Sequence, residues 1–523
     1  MHSRFEETNI NSGECTSIEK NAKQCYGGFA RVASIVRQAR NSTTPVLFLN
    51  AGDTFQGTPW YNFYKWKVAA KFMNMLKPDA MTLGNHEFDD GIEGLLPFLK
   101  NVTFPIVTSN LDLSGEPEIA ALMERSIILN VAGRKIGIIG YLTSEPGIIP
   151  NMNTITILNE MKSIRKEISK LQKKNVNIII GLGHSGYDVD KKIAEEVDGL
   201  DLIIGGHSHS FLYSGFTPNK ENPLGPYPTE IVKKDGRRVY VAQAYAFTKY
   251  LGHLKIIFDA DGRIRKIKGR PILLDSKINQ APDVVKEIKK MKPAVVRMGD
   301  EALGYTGVFL NGDRKICRQR ECNLGNLITD AMINHNKEKY TDDKAWTDAA
   351  IAVYNSGNIR SSISKLRNQP ITFSDVLTVL PFGDYMGKTK MTGQKLVEML
   401  EHSAAEFREN FTQFSGQFLQ YSGVQVTYNL SQPVGSRVIL DTLYIQCARC
   451  KEPKYEKFNY KQVYTILVHD YLYNGGNNFN MFKTSHSTWI NSGFTMDQIL
   501  ANHIKTIRHL INKGTERRII LLH

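Results

Sequence analysis

The feature that most constrains the fold is a set of four short apolar segments, each followed by glycine and polar residues. They are VLFLN before residues 52–54, AMTL before residues 84–89, NIIIGL before residues 183–186 and LIIGG before residues 207–209. Apolar runs of this length predict buried β-strands. Because ligands of open α/β sheets bind beyond the carboxyl ends of the strands, we expect the four polar loops to converge on one site.

Helical patterns separate the apolar segments, so the first half is predicted to be α/β with a sheet buried on both faces. The predicted strands are 46–49, 80–83, 106–108, 135–141, 177–182, 202–204 and 239–243, with helices at 29–40, 94–99 and 156–173. A Lys-rich helical segment at 281–298 predicts a linker. A second α/β block follows, with strands at 350–354, 424–428 and 463–468 and a last helix at 496–511. The predicted domains are therefore 1–280 and 303–523, joined by 281–302.

Composition excludes several classes of function. The 523 residues include 66 Lys and Arg against 52 Asp and Glu, a net charge of +14 that favours encounter with anions in general. No basic cluster is interleaved with aromatic residues, so we expect no nucleic-acid partner. No segment approaches the ~18 consecutive apolar residues that span a bilayer. The apolar run 519–522 is too short for a lipid-anchor signal, so we expect no membrane anchor in this chain.

The cysteines and glycosylation motifs predict a secreted protein. Six cysteines form three close pairs, which are Cys15/Cys25, Cys317/Cys322 and Cys447/Cys450. Zinc could use the last pair, but no second close pair of ligands stands nearby, so local disulfides fit better. Four Asn-x-Ser/Thr motifs agree with an oxidising compartment; they begin at Asn41, Asn101, Asn410 and Asn429. Since Met1 is followed by no apolar leader, we expect the signal peptide to lie in a missing N-terminus.

The polar residues at the strand ends offer carboxylate, amide and imidazole groups but no thiolate. This set of donors suits hard or borderline divalent metals and excludes a thiolate structural site. A single Asp or His at a strand end is more often a hydrogen-bonding group than a ligand. Four such clusters in order favour a metal site strongly.

These motifs carry a specific resemblance. GDTFQGT, GNHEFD, GHSG and GGHSH resemble the motifs of calcineurin-like metallophosphoesterases. YGGFARVA at 26–33 and VAQAYAFTKYLG at 241–252 narrow the resemblance to the 5′-nucleotidase/apyrase family. The second half is similar through CRQRECNLGNLITDAM at 317–332, NSGNIRSS at 355–362, LPFGD at 380–384 and NGGNNF at 474–479. The resemblance covers nearly the whole chain, and it is greatest to ecto-5′-nucleotidases and secreted salivary apyrases of blood-feeding arthropods.

The family implies an N-terminal metallophosphoesterase αββα sandwich, joined by a linker helix to a C-terminal α/β nucleotide-binding domain. It also implies two divalent ions (Zn, Mn, Ca or Mg) bridged by Asp53. One ion would be held by Asp53, Asn85, His184 and His207, and the other by Asp53, His209, His2 and an Asp two positions before His2. The sequence starts at Met1, within that Asp-x-His motif. We therefore expect the given sequence to be truncated at its N-terminus.

The resemblance also implies roles in catalysis and substrate binding. His86 matches the catalytic histidine, oriented by Asp89, and would stabilise the phosphoryl oxygens in the transition state. The nucleotide contacts would be Arg318, Asn355 and Arg360, with the base between Phe382 and Tyr471. The family usually has an Asp that accepts hydrogen bonds from the ribose hydroxyls, where this sequence has Asn477. A neutral amide accepts more weakly than a carboxylate.

The leading functional prediction is a secreted, divalent-metal-dependent nucleotide phosphohydrolase of the apyrase type, acting on extracellular ATP and ADP. The alternative enzyme is a 5′-nucleotidase that converts AMP to adenosine, because the two activities share these motifs. Basic charge, Asn477 and the lack of an anchor favour the apyrase. A third hypothesis is a secreted protein with an impaired metal site that binds nucleotides or a receptor without catalysis. The sequence leaves the oligomeric state open.

Overall fold

A computed structural model of the chain describes residues 1–144, 154–342, 344–366, 368–407, 415–482 and 488–523. These residues form two units. Within the described ranges, the first unit contains residues 1–10, 14–144 and 154–295, and the second contains 11–13 and 296–523. In the described ranges, no helix combines the length and the apolar character that crossing a membrane would require.

The largest sheet of the first unit has six strands. In spatial order they are Ser126–Val131, Arg134–Leu142, Ile178–His184, Leu202–Ile204, Arg238–Ala242 and Thr229–Val232. The four inner strands are parallel, and each edge strand is antiparallel to its neighbour. Every residue of Ile178–His184 is buried, as expected for a strand covered on both faces.

A smaller sheet faces the large one. Leu49–Asn50 pairs in parallel with Ala80–Met81, and single-residue bridges at Ile106 and Val107 extend the pairing. Ala80 and Val107 share a buried apolar cluster with Ile138 and Ile180 of the large sheet. Helices cover the outer faces; they are Phe29–Arg40, Pro59–Tyr64, Trp66–Leu76, Gly91–Asn101, Pro117–Ala120, Glu160–Gln172 and Tyr187–Glu196. The first unit is thus the predicted αββα sandwich.

The rest of the first unit is a short helix, three small ladders and a 3₁₀ turn. The ladders pair Leu111–Asp112 with Thr156–Ile157, Tyr250–Leu251 with Ile272–Leu273, and Leu254–Phe258 with Ile264–Gly269. The short helix is Ser17–Asn21 and the 3₁₀ turn is Asn85–Phe88. The helix predicted over 156–173 begins only at Glu160, because Asn159 caps it by accepting from the Lys162 amide at 3.1 Å.

The second unit is also α/β. Its five-stranded sheet has the order Leu419–Ser422, Ile351–Asn355, Val463–His469, Tyr385–Thr392 and Ile490–Thr495. A four-stranded sheet contains Tyr455–Lys457, Tyr444–Gln446, Val424–Asn429 and Ile519–Leu522, and Ala302–Gly304 pairs with Ile371–Thr372. The α-helices are Arg314–Cys317, Asn323–Lys339, Phe373–Val379, Gly393–Ala404, Asp470–Tyr473 and Met496–Thr506, and the 3₁₀ turns are Ser356–Asn358, Leu440–Thr442, Gly476–Asn478 and Asn480–Phe482.

One helix, Pro282–Gly299, occupies the segment predicted to be a linker, and the division between the two units falls inside it. The domain limits at 280 and 303 stay a prediction. The last predicted helix, 496–511, ends at Thr506, where Ile507 has extended backbone angles.

All three expected cysteine pairs are bonded. The Cα–Cα distances are 5.8 Å for Cys15–Cys25, 5.2 Å for Cys317–Cys322 and 5.7 Å for Cys447–Cys450. Each bond closes a short loop within one chain segment. Among the glycosylation motifs, Asn41 and Asn101 are exposed and Asn429 is half-buried. Asn410 lies outside the described residues.

Candidate metal centre and nucleoside site

The loops after the strands of the first unit meet around the carboxylate of Asp53. Its Oδ2 lies 3.0 Å from His184 Nε2 and 3.4 Å from His2 Nε2. His2 Nε2 is 2.9 Å from His209 Nε2, and His207 Nδ1 is 2.9 Å from the Asn85 side-chain oxygen. All six predicted ligands are therefore brought together.

Two groups of ligand atoms share Asp53. One group is His2, Asp53 and His209, the other is Asp53, His184 and His207, and within each group the atoms lie within 4.8 Å of one another. Asn85 adds an amide oxygen to the second group through its contact with His207. A carboxylate flanked by imidazoles on both sides is the arrangement that a pair of divalent ions requires.

The protonation of His184 tests whether a cation fits. Its Nδ1 donates to the Ala51 carbonyl at 2.5 Å, and a carbonyl only accepts, so Nδ1 carries a proton. Burial lowers the pKa of His184, but the Asp53 carboxylate, whose Oδ2 lies 3.0 Å from the buried Nε2, raises it above its usual value. With Nδ1 donating to the carbonyl, Nε2 therefore faces the carboxylate either with a second proton or with a cation bound between the two groups. The donor set fits a divalent metal.

The electrostatics of the centre favour an ionised Asp53. Burial alone would raise the pKa of this carboxyl, but the neighbouring imidazoles of His184, His86 and His2 hold its pKa well below the usual range. Asp53 is only 4% exposed. A buried carboxylate that stays ionised is what a bridging ligand must be.

A buried carboxylate that sequence reasoning missed, Glu87, shapes the Asp53 loop. Its two oxygens accept from the amides of Asp53 at 2.9 Å, Thr54 at 2.6 Å, Phe55 at 3.1 Å and Gly84 at 2.6 Å. Glu87 is fully buried. It therefore binds the loop after the first strand to the loop after the second. The motif GNHEFD contains it, but only the convergence of four amides shows its role.

Glycine is required where these two loops touch. A Cβ at Gly84 would lie 2.3 Å from Asp53 Oδ1, and one at Gly52 would lie 2.5 Å from the Gly84 nitrogen. Gly52 also has φ +82°, in the region that favours glycine. The loops can approach closely enough to place Asp53 only because both positions lack a side chain.

His86 lies beside the same carboxylate. Its backbone N–H donates to Asp53 Oδ1 at 3.1 Å, and its ring Nδ1 is 2.8 Å from Asp89 Oδ2. Because the carboxylate accepts, Nδ1 donates and Asp89 fixes the orientation of the ring. The catalytic role of the two residues stays a prediction.

Gln243 is a second residue that sequence reasoning missed, although it lies in the quoted motif VAQAYAFTKYLG. Its side-chain oxygen accepts from Ser208 Oγ at 3.0 Å and from the Ser210 amide, and its Nε2 donates to the Gly206 carbonyl at 2.9 Å. These contacts bracket the loop that carries His207 and His209, whose φ values are 71° and 55°. Gln243 thus holds two ligands in an unusual backbone conformation.

The metal centre forms the polar end of a cavity of about 660 Å³ in the first unit. Five of the six ligands line it, and the remainder of its wall includes apolar side chains such as Leu47, Ile180 and Leu202. The candidate ligands therefore border a cavity large enough to hold a small anion.

In the second unit, some of the six predicted nucleotide contacts touch one another. The Arg360 guanidinium carbon is 5.6 Å from the centre of the Phe382 ring. Burial lowers the pKa of Arg318 well below its usual range, and the charges of Arg314 and Arg360 lower it further.

Asn355 connects the remaining contacts but is itself fully buried. Its Oδ1 is 2.9 Å from His469 Nε2, and its Nδ2 donates to Asn477 Oδ1 at 2.9 Å. The Tyr471 ring stacks on His469, with centres 5.9 Å apart and planes 20° apart. His469 was not among the predicted site residues, although it begins the string HDYLYNGG.

Comparisons with known proteins agree with this arrangement. Residues 1–211 match the family model of the calcineurin-like phosphoesterases, and residues 302–484 match that of the 5′-nucleotidase C-terminal domain. Protein 5NUC of Lutzomyia longipalpis is 41% identical over 489 residues, which covers 92% of this chain and 85% of that protein. Human 5′-nucleotidase is 42% identical over 488 residues, covering 92% of this chain and 83% of the relative.

A solved structure shares the whole architecture. The 5′-nucleotidase precursor from Thermus thermophilus superposes with a TM-score of 0.88 at 33% identity, covering 100% of this chain and 97% of that one. A snake venom 5′-nucleotidase from Naja atra is 41% identical over 97% of this chain and 94% of its own length. Identity and coverage of this extent, together with both domain models, show that the chain belongs to the 5′-nucleotidase family of hydrolases.

Proposed function

We propose that this hydrolase removes the terminal phosphate group from nucleotides, using two divalent metal ions held around Asp53. The observation that carries the proposal is that two groups of ligand atoms share this one buried carboxylate. His184 supports it, because its buried Nε2 lies 3.0 Å from Asp53 Oδ2, close enough for the two atoms to bind one cation.

The first ion would be held by Asp53, Asn85, His184 and His207, and the second by Asp53, His2 and His209. When bound, two such ions make a water molecule nucleophilic near neutral pH and neutralise charge on the transferred phosphoryl group. Oxygen and nitrogen donors fit Zn, Mn, Ca or Mg.

His86 and Asp89 supply the remaining charge stabilisation in this proposal. The Asp89 carboxylate accepts from His86 Nδ1 at 2.8 Å and orients the ring, and a doubly protonated ring would carry positive charge beside the phosphoryl group. Nε2–H would then donate to a phosphoryl oxygen as negative charge develops there. Removing a donor of this kind costs ~10²–10³ in rate.

The nucleoside end of the substrate would bind to the second unit. Arg318 and Arg360 offer planar guanidinium groups suited to phosphate, and Phe382 and Tyr471 offer aromatic faces for a base. For the number of phosphates removed, the sequence-based prediction is apyrase-type hydrolysis of ATP and ADP. The similar proteins from human, Naja atra venom and Thermus thermophilus are 5′-nucleotidases, which favours AMP as a second candidate substrate.

Phosphate release from ATP, ADP and AMP by the purified protein tests the proposal. We expect release with added divalent metal and loss of release with excess chelator. Release from ATP and ADP would support the apyrase prediction, and release from AMP alone would support the 5′-nucleotidase. Nucleotide binding without release from any of the three would instead indicate the non-catalytic binder.

We further propose that the protein is secreted. The three disulfides fit an oxidising compartment. Asn41 and Asn101 are exposed at glycosylation motifs, so a sugar could be attached there without disturbing the core. Mass mapping of protein recovered from the medium of expressing cells tests this; six free thiols and no glycans would contradict it.

A further inference from the structure

Four side chains of the second unit form a closed ring of polar contacts. Asn358 Nδ2 donates to Asp384 Oδ2 at 2.6 Å, and the same oxygen lies 3.2 Å from His469 Nδ1, a close approach without hydrogen-bond geometry. His469 Nε2 is 2.9 Å from Asn355 Oδ1, and Asn355 Nδ2 donates back to Asn358 Oδ1 at 3.2 Å. We call this group, Asp384, His469, Asn355 and Asn358, the amide ring.

The fold brings the members of the amide ring together at one edge of the five-stranded sheet. Asn355 ends Ile351–Asn355 and His469 ends Val463–His469, and these neighbouring strands are parallel. Asp384 directly precedes Tyr385–Thr392, which pairs with the same strand so that Met386 lies opposite His469. His469 and Asn355 are fully buried and Asn358 is 8% exposed.

The amide ring fixes which way the Asn355 side chain points. The Asp384 carboxylate only accepts, so the Asn358 NH₂ group faces it and Asn358 Oδ1 faces the Asn355 NH₂ group. Asn355 Oδ1 then lies toward His469 Nε2 and accepts from it. The Asn355 NH₂ group is thereby directed to the opposite side, where it donates to Asn477 Oδ1 at 2.9 Å. Because buried polar groups are costly to leave unpaired, reversal of the Asn355 amide is disfavoured.

Asn477 accepts a hydrogen bond from Asn355 of the amide ring and is itself half-buried. Its backbone has φ 48° and ψ 33°, a left-handed conformation that Asn tolerates better than most residues. Its backbone carbonyl accepts from His402 Nε2 at 2.8 Å. One lone pair of its Oδ1 is used by Asn355. The Asn477 side chain can therefore donate to a ligand through its NH₂ group. It can accept only through the one remaining lone pair of Oδ1.

We propose that the amide ring is a positioning network, which sets the Asn477 side chain for hydrogen bonding to the ribose hydroxyls of a bound nucleoside. His469 and Asn358 act through Asn355 and do not touch the ligand. The proposal rests on the proposed function only for the class of ligand. It deepens that function by naming what determines recognition of the sugar.

Calorimetric binding of adenosine and of 2′,3′-dideoxyadenosine to the purified full chain tests the network. Neither ligand carries phosphate, so the measurement needs no catalysis. The variants are His469→Ala, His469→Gln and Asn477→Ala, together with the double variant His469→Ala/Asn477→Ala. Glutamine retains an Nε2–H donor for Asn355 but lacks the aromatic ring, and thermal unfolding of each variant measures its stability.

We expect the wild-type chain to bind adenosine roughly 5–10-fold more tightly than the dideoxy compound, the worth of one to two hydrogen bonds. His469→Ala and Asn477→Ala should each bring this ratio close to one, and His469→Gln should restore most of it. The double variant should lose no more discrimination than either single variant, because both act on one contact.

Three results would overturn the network: no adenosine binding by the wild-type chain, an unchanged ratio in His469→Ala, or additive losses in the double variant. If His469→Ala does not fold, Asn477→Ala and His469→Gln decide the question, since the first alters a half-buried side chain and the second keeps the donor. Phosphate release is scored separately. Inactive protein that still discriminates the two nucleosides would contradict the proposed function and support the network.

Discussion

The Glu87 carboxylate and the Asp53 amide are joined by a hydrogen bond of 2.9 Å, which ties the candidate bridging ligand to a residue 34 positions later in the chain. Three further amides converge on the same carboxylate. The position of Asp53 is thus set by a buried anion that is not itself one of the ligands.

Replacing Glu87 by Gln should therefore damage both the fold and the metal centre. The amide retains one accepting oxygen but places an NH₂ group against backbone donors. We expect the free energy of unfolding to fall by about 2–4 kcal/mol, because buried donors lose their acceptor. Denaturant unfolding and metal content measure the two effects. The control is Glu93→Gln, at an exposed position six residues later; equal losses in both variants would contradict the role of Glu87.

Removal of one proposed metal ligand should reduce the metal content and the activity together. His207→Ala should lower the bound divalent metal from about two ions per chain toward one, because one group of ligands loses an imidazole. Elemental analysis and phosphate release are measured on the same sample. The exposed His253→Ala is the matched control. Two ions retained in His207→Ala, with full activity in excess chelator, would refute the two-metal assignment.

The aromatic residues of the second unit and His86 should affect different kinetic constants. Phe382→Ala and Tyr471→Ala should raise KM for nucleotides about 5–150-fold, the loss of ~1–3 kcal/mol of stacking, with little effect on p-nitrophenyl phosphate. His86→Ala should lower kcat ~10²–10³-fold for both substrates, since its proposed partner is the phosphoryl group. Kinetics on the nucleotide and on the small ester compare them. Equal losses on both substrates for the aromatic variants would show that they support the fold.

Asp201 should make stability depend on pH. Burial raises the pKa of this carboxyl to about 7, although the Ile179 amide, 2.8 Å away, opposes the shift. At pH values between the ordinary pKa of an aspartate and about 7, the Asp201 carboxyl holds its proton in the folded chain but loses it in the unfolded chain. The contribution of Asp201 to stability therefore falls as the pH rises through this window, and the loss is complete above pH ~7.

Asp201→Asn keeps an acceptor for the Ile179 amide and removes the titration. Relative to the wild-type chain, this variant should gain about 1–2 kcal/mol of unfolding free energy between about pH 5 and pH 8, a value reduced for partial solvent screening. Urea unfolding at the two pH values measures the gain, with the exposed Asp261→Asn as control. A gain of the opposite sign would mean that the ionised form of Asp201 is the one that the fold stabilises.

The parts of the fold that depend on hydrophobic pattern could be predicted from the sequence. Leu202–Ile204 and Phe29–Arg40 have the predicted bounds, and Ile178–His184 differs from its prediction by one or two residues at each end. Periodicity could not reveal that Thr156–Ile157 pairs with Leu111–Asp112 instead of extending a helix, because that choice depends on a distant partner and on the Asn159 cap.

For the candidate site, strand-end position and residue type indicated Asp53, Asn85, His184, His207 and His209, whereas His2 follows no predicted strand and was identified only through the family resemblance. Strand-end position and residue type did not reveal Glu87 or Gln243, because each acts on backbone groups of remote loops and such convergence leaves no local pattern. His469 was missed for a related reason. Its contact with Asn355 joins two strands whose adjacency only the sheet order shows.

The disulfides have a consequence for synthesis. Their partners are 10, 5 and 3 residues apart, and no pair encloses or interleaves with another. In an oxidising compartment, each bond can therefore form before the next pair of cysteines has left the ribosome. Although six cysteines permit many pairings, the order of emergence alone selects the native one, and the chain should mature with little dependence on disulfide reshuffling.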